Sequence, residues 1–421
     1  MAITKEILGR RIRAAREACR MSQEEVAGQL GISRSPYVQI ENGNRSVSSL
    51  ELDKLAYLFG RDIREFVGES FQEEDTLAAL FRAQPEVANQ PDVTEKLREC
   101  LALGRELARL EQFVGLDQDQ VTLPSYTFSP PRTRWEAVQQ GQRLADEERR
   151  RLSLGSGAIG DLNELLESQG VHTGMVDLPV DVCGLTLNER STGFFVVVNQ
   201  GNPHLRRRFS LAHEYAHVLA DRDRFGLVSK ASDQDNLIEV RANVFAACFL
   251  LPAEGVHQFV SSLGKGKPSR GSTEVFDEVC TISAHGRTDP GSQLLQFYDV
   301  VQLAHSFGVS VSSTLYRLKN LRLVTESDFD RLLALDKAGK SRQMNAFLGI
   351  PEPDHTAMRS AFRTRFLGLA LEAYRREEIS RGKLQELAVM MGCPDEDLDA
   401  LVEEAGVAIQ AHEGSEEGLQ V

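Results

Sequence analysis

Residues 207–220 read Arg-Arg-Phe-Ser-Leu-Ala-His-Glu-Tyr-Ala-His-Val-Leu-Ala. His213 and His217 stand four apart, with Glu214 between them. The run has no Pro or Gly, and Phe209, Leu211, Ala212, Ala216, Leu219 and Ala220 predict a buried helix over 207–220. In a helix, positions i and i+4 lie one turn apart on one face. Both imidazoles can then bind one zinc ion, with Glu214 beside the metal's open position. The competing reading is a pair of satisfied core histidines. A third ligand is within reach: Glu239 follows His217 by 22 residues and opens a second apolar helix bearing Ala242, Phe245, Ala246 and Phe249. Two His and one Glu leave a tetrahedral position for water, which is the pattern of a catalytic site rather than a closed structural one. Glu214 is then the general base. An oxyanion donor is also wanted. His204, His257, His285, Tyr298 and His305 are candidates, and spacing does not choose among them.

Around this helix the chain reads as an α+β domain over 133–325. A charged helix is predicted at 134–152, a short helix at 161–167 and a β-branched strand at 193–199. The Gly/Ser-rich segment 264–273 reads as a mobile loop, and 296–325 as helices.

The run 207–217, continued by Glu239-x-x-Ala-Asn-x-Phe-Ala-x-x-Phe-Leu-Leu-Pro252, resembles the ImmA/IrrE family of zinc metallopeptidases. Gly160-Asp-Leu-x-x-Leu-Leu-Glu, Phe194–Asn199, and Leu303-Ala-x-x-Phe-Gly-Val-Ser310 with Leu315-x-Arg-Leu318 extend the likeness over about 135–325. The resemblance implies a zincin-like fold, Zn2+ held by His213, His217 and Glu239, Glu214 as base, and a repressor or other protein as substrate. Some fused relatives in that family are regulators without proven peptidase activity.

The N-terminus carries a second signal. Residues 5–68 predict a bundle of short helices. Ser22 with Glu25 and Ser48 with Glu51 are capping boxes, and Gly31 suits the turn between the second helix and a third at 34–42. The order Met21-Ser-Gln-Glu-Glu-Val-Ala27, Gly31-Ile-Ser33, Val38-Gln-Ile-Glu-Asn-Gly-Asn-Arg45 resembles the Cro/repressor-like XRE family of helix-turn-helix regulators. That resemblance implies a third helix in the major groove of a double-stranded DNA operator. Arg34, Ser35 and Gln39 would face base edges, while Gln23, Asn42, Asn44 and Arg45 would meet phosphate. Tyr37 divides between core and interface. Such domains commonly act as homodimers on palindromic sites.

Charge agrees with this division. The chain has 48 Lys and Arg against 62 Asp and Glu, a net −14, yet residues 1–70 hold 11 basic and 10 acidic groups. The N-terminal domain is therefore the place for a phosphate-facing surface. The chain as a whole is too acidic for a basic nucleic-acid coat. The six cysteines form no CxxC pair and read as reduced. No uncharged apolar run reaches the roughly 18 residues of a membrane helix, so a cytoplasmic protein with no membrane partner is expected.

The expected architecture is multidomain and mainly α. It comprises a helix-turn-helix domain (1–70), a helical connector with a Pro-rich linker (71–132), a metallopeptidase-like domain (133–325) and a C-terminal helical region with a polar tail (326–421). Leu103, Leu107, Leu110 and Val114 form a stripe that reads as packing against the following domain or as a dimer seam. Two further helix pairs, around Gly308 and around 379–403, imitate the helix-turn-helix pattern but lack clustered basic residues. The function expected is that of a DNA-binding regulator with a zinc endopeptidase domain that, in response to a signal, cleaves a repressor, a partner protein or the chain itself, the Pro-rich segment 125–134 being the self-target. The alternatives are a non-enzymatic regulator whose zincin fold is a sensor or scaffold, and an antitoxin-like regulator of a neighbouring gene.

Overall fold

The computed structural model describes residues 3–68, 71, 76–116, 123–189, 192–222, 226–230, 233, 235–266, 270–277, 280–287, 292–351 and 357–393. The described chain divides into two compact units. One comprises residues 1–102 and 121–355, the other 103–120 and 356–421.

The first unit begins with five helices, α1 (Lys5–Ala18), α2 (Gln23–Leu30), α3 (Arg34–Glu41), α4 (Ser49–Leu58) and α5 (Ile63–Val67). Ser22 and Ser48 close complete capping boxes with Glu25 and Glu51. Gly31 ends α2 at φ +73°, a left-handed conformation open to glycine at no steric cost. Ile12, Ala15, Val26, Tyr37, Ile40, Leu55, Phe59 and Phe66 form the core. Tyr37 thus resolves to packing, at 0% exposure. A buried ion pair joins α1 to α3: Arg16 Nε donates to Glu41 Oε1 at 2.7 Å and its Nη2 to Oε2 at 3.3 Å.

Helices α6 (Thr76–Ala83), α7 (Pro85–Ala88) and α8 (Pro91–Val114) form the connector. Then come α9 (Arg134–Arg151), α10 (Leu162–Ser168), β1 (Val171–Val176), β2 (Val182–Glu189), β3 (Gly193–Asn199), α11 (His204–Ala220), β4 (Gly226–Lys230), α12 (Leu237–Leu250) and α13 (Ala253–Ser262). The four strands make one sheet in the order β1-β3-β2-β4. β1 runs parallel to β3, and β2 is antiparallel to both β3 and β4. α11 packs on β2 and β3, and α12 packs on α9 and α11.

The predicted loop at 264–273 contains, from Arg270, the first strand of a hairpin, β5 (Arg270–Asp277) with β6 (Cys280–Arg287). Paired backbone groups override the Gly/Ser composition there. α14 (Phe297–Phe307), α15 (Val311–Asn320), α16 (Glu326–Lys337) and α17 (Lys340–Phe347) complete this unit. Residues 237–262 are apolar and long enough to cross a membrane by composition, but 56% of their most apolar 18-residue window is buried in the fold. Glu239 and Arg241, both buried, lie within it.

The second unit holds the end of α8 with α18 (Ala357–Arg375) and α19 (Arg381–Met390). Leu103, Leu107 and Leu110 are buried. Flanking them on α8, Glu111 accepts from Arg365 at 2.6 Å, Glu106 pairs with Lys383 at 3.3 Å, and the Val114 carbonyl accepts from Arg376. The leucine stripe therefore falls in the unit that holds the C-terminal helices. The helix expected at 395–403 and the polar tail lie outside the described residues.

Candidate metal centre and DNA-reading surface

The predicted helix at 207–220 forms as α11, and its face places His213 and His217 one turn apart. Packing of α12 brings Glu239 against them. His213 Nε2 lies 3.0 Å from Glu239 Oε2, His217 Nε2 lies 3.5 Å from Oε1, and the two Nε2 atoms are 3.2 Å apart. Metal bonds of about 2.0–2.1 Å in a tetrahedron put ligand atoms about 3.3 Å apart. The three side chains fit that spacing.

The remaining ring nitrogens each face an oxygen that can accept their proton. Asn243 Oδ1 accepts from His213 Nδ1 at 3.1 Å, and Asp221 Oδ2 accepts from His217 Nδ1 at 2.9 Å. With the protons on Nδ1, both Nε2 lone pairs point at one another and at a carboxylate. Such an arrangement calls for a cation between them. Positive charge is favoured at this position: burial by itself lowers the His217 pKa, but Glu239 and Asp221 outweigh it and raise it to about 10. Burial alone would raise Glu239, yet His217 and His213 hold its carboxyl far below the ordinary range.

Glu214, between the two histidines in sequence, reaches β2. Thr186 Oγ1 donates to its Oε2 at 2.7 Å, while Oε1 is buried with no hydrogen-bond partner. Burial pushes this carboxyl's pKa up, the environment of a group poised to take a proton. Gly184 makes room for it. A Cβ there would lie 2.8 Å from Oε1. Asp221 is held in turn by Arg241, whose Nη2 donates to Oδ1 at 2.5 Å.

The sequence reading missed Gly184, Thr186, Asp221, Arg241 and Asn243. Asp221 and Asn243 had a signal, since each lies four residues after a ligand on the same helix face. Gly184 and Thr186 had none, because the strand that carries them was not predicted. His204 begins α11, His257 and His305 are exposed, and Tyr298 packs by Lys265. The bonds of the cluster run to Asn243, Asp221 and one another, and not to His257, His305 or Tyr298. The side chain of His285 lies outside the description.

On the N-terminal bundle, Arg34, Ser35, Gln39, Asn42 and Asn44 are exposed, and Gln23 and Arg45 are half-buried. Ser35 and Gln39 share one face of α3, one turn apart. Gln23 is engaged at both ends: Nε2 donates to Glu41 at 2.8 Å, and Oε1 accepts from Arg34 at 3.2 Å. Asn44 donates to Gln39 Oε1, and Arg45 donates to Glu51. Gln23 thus connects the buried Arg16–Glu41 pair to Arg34.

Comparison with known proteins agrees with this division. Residues 7–66 match a helix-turn-helix domain. Residues 181–267 match the peptidase M78 family, described as an IrrE N-terminal-like domain. The chain therefore carries a helix-turn-helix module and a metallopeptidase-type domain. No curated protein matches it. One solved structure that aligns with it is the crystal structure of ComR from Streptococcus suis, at 12% identity over 95% of this chain and 96% of that one. Its TM-score is 0.16, too low to carry an argument.

Proposed function

We propose that this protein is a cytoplasmic, homodimeric DNA-binding regulator whose central domain is a zinc endopeptidase acting on a repressor or other protein partner in response to a signal. The carrying observation is the convergence of His213 Nε2, His217 Nε2 and the Glu239 carboxylate in one buried cluster. His213, His217 and Glu239 would hold the ion, which when bound would supply Lewis acidity toward water and a scissile carbonyl. Glu214 receives the attacking water's proton at Oε1, while Thr186 keeps Oε2 in place. It then returns the proton to the leaving amine. Arg34, Ser35 and Gln39 read bases. Asn42, Asn44 and Arg45 hold phosphate, and Gln23 supports Arg34.

A partner protein is favoured over self-cleavage in 125–134. In that segment the Tyr126 N–H donates to the Leu219 carbonyl at 3.0 Å, and Gln140 donates to the Ser129 carbonyl at 2.9 Å. Immediately before it, Arg222 donates to the Pro124 carbonyl at 2.7 Å. A backbone engaged in this way is a poor substrate.

One observation favours the sensor reading instead: Glu214 is 0% exposed and His217 1%. The test is metal analysis of the purified chain together with Glu214→Gln in a reporter strain. The enzyme reading expects about one zinc per chain in both proteins. It also expects loss of signal-dependent cleavage and induction in the variant. Normal induction by Glu214→Gln would establish the sensor reading in its place.

A further inference from the structure

The burial of Glu214 raises the question of how a polypeptide reaches it. β2 is the strand that serves this residue, through Gly184 and Thr186. Its inner edge is paired with β3. Its outer edge is therefore the backbone ladder along which an extended chain could be brought beside Glu214, the mode in which peptides add to sheets. β4 occupies that edge. It is five residues long and antiparallel, with Ser229 opposite Gly184 and Leu227 opposite Thr186. Opposed residues of an antiparallel pair share a face. Ser229 and Leu227 therefore lie on the Glu214 side, where side chains of an added peptide would lie.

Two features set β4 apart from an ordinary strand. First, Ser229 Oγ is buried without a hydrogen-bond partner on the same face as the unpartnered Glu214 Oε1. A buried hydroxyl without a partner is costly. Second, the connector grips its far edge. Gln84 Nε2 donates to the Val228 carbonyl at 3.0 Å, and the Val228 N–H donates to Gln84 Oε1 at 2.9 Å. One side-chain amide thus imitates the peptide group of a further strand. Lys230 donates to Gln90, and Gly226 lies against Leu80. The same connector carries the DNA-binding domain. Tyr57 donates to Glu95 at 2.9 Å, and Arg98 donates to the Leu58 carbonyl at 2.7 Å.

We propose that β4 is a resident strand in the docking groove of an extended polypeptide substrate, and that Gln84 is the latch by which the connector keeps it there. This rests on the metallopeptidase reading and adds its regulation. Whatever moves the connector relative to the sheet, including a change at the DNA-binding domain, releases β4 and opens the centre.

The test uses the full chain loaded with zinc. Gln84→Met keeps the side chain's length and removes both hydrogen bonds. It is expected to quicken amide exchange at Val228 and to speed zinc loss to the chelator 4-(2-pyridylazo)resorcinol about tenfold. A second variant closes the groove. Leu185 and Val228 are opposed, and the Val228 backbone groups point outward to Gln84. Their Cα atoms are therefore about 4.5 Å apart, as in a pair without mutual hydrogen bonds, within disulfide range. Oxidised Leu185→Cys/Val228→Cys should lose zinc more slowly than the same protein reduced. Faster Val228 exchange with unchanged zinc loss would overturn the proposal, because β4 would then not cover the centre. Unchanged exchange would overturn it too, because Gln84 would not be a latch. A native chain that binds no zinc removes the metallopeptidase reading and this inference with it. Bound zinc with unaltered release removes this inference and leaves the metallopeptidase reading standing.

Discussion

The two helices that carry the candidate functions, α3 and α11, present their side chains on opposite terms. α3 turns Arg34, Ser35 and Gln39 to solvent and buries only Tyr37, Ile40 and Glu41. α11 buries all three of His213, Glu214 and His217, and each of them bonds a residue from outside the H-E-x-x-H motif. A surface reader can lose a contact and keep its fold. A buried centre cannot, because each removed partner leaves a desolvated polar group behind. Function and stability are therefore separable at α3 and entangled at α11.

The largest expected effect falls on the buried side. His217→Ala removes one of the three candidate ligands and leaves Asp221 Oδ2 without its imidazole partner. Metal analysis after dialysis should find most of the zinc gone. A double variant, His213→Ala/His217→Ala, that kept full zinc would remove the assignment altogether.

Next comes a buried pair within the reader itself. Glu41→Ala leaves the buried Arg16 guanidinium with only Glu17 and the Met21 carbonyl as partners, and should destabilise the domain by about 1–3 kcal/mol. Denaturant unfolding measures it. A change below about 1 kcal/mol would place this pair with ordinary surface ion pairs and weaken the contrast.

A comparable loss is expected one bond away from the metal site. Asp221→Asn keeps shape but weakens the grip on His217 Nδ1 and Arg241. Zinc affinity should fall by about 10–100-fold, as for second partners of metal-bound imidazoles. Competition with a chelator of known affinity reads this directly.

Arg34→Ala should cost about 1–3 kcal/mol in operator binding and relax specificity at one base position. Thermal unfolding should be unchanged, which is the separability claimed for α3. Unaltered operator binding in a gel-shift series would refute the base contact.

The smallest effect sharpens the same point. Gln23→Ala frees Arg34 from its brace. If the brace is its role, the variant loses specificity at the base that Arg34 reads. Uniform weakening on all sequences would return Gln23 to the phosphate contact that sequence alone suggested.

How much of this was legible depended on how local the signal was. The capping boxes at Ser22 and Ser48 and the turn at Gly31 are contacts within four residues, and they appear where the sequence placed them. His213 and His217 are also local, separated by a single helical turn. Of the sheet, only β3 was readable, because only its run of Phe194–Val198 is uniformly β-forming. β1, β2 and β4 take their pairing from distant partners, and the hairpin of β5 and β6 overrides a composition that suggests a loop.

The sequence by itself determined the two domain types, the helix that aligns both imidazoles, the carboxylates at Glu214 and Glu239, and the exposed face of α3. These rest on helical periodicity, which acts over a few residues. Only the tertiary structure decided that Thr186 and Gly184 shape the position of Glu214. The same is true of the tie between Gln23, Arg34 and Glu41, of the leucine stripe on α8 joining the C-terminal helices, and of Gln84 gripping β4 across 144 positions of chain. Contacts at such separations are chosen by burial and by hydrogen-bond completion over the whole fold, and no local pattern records them.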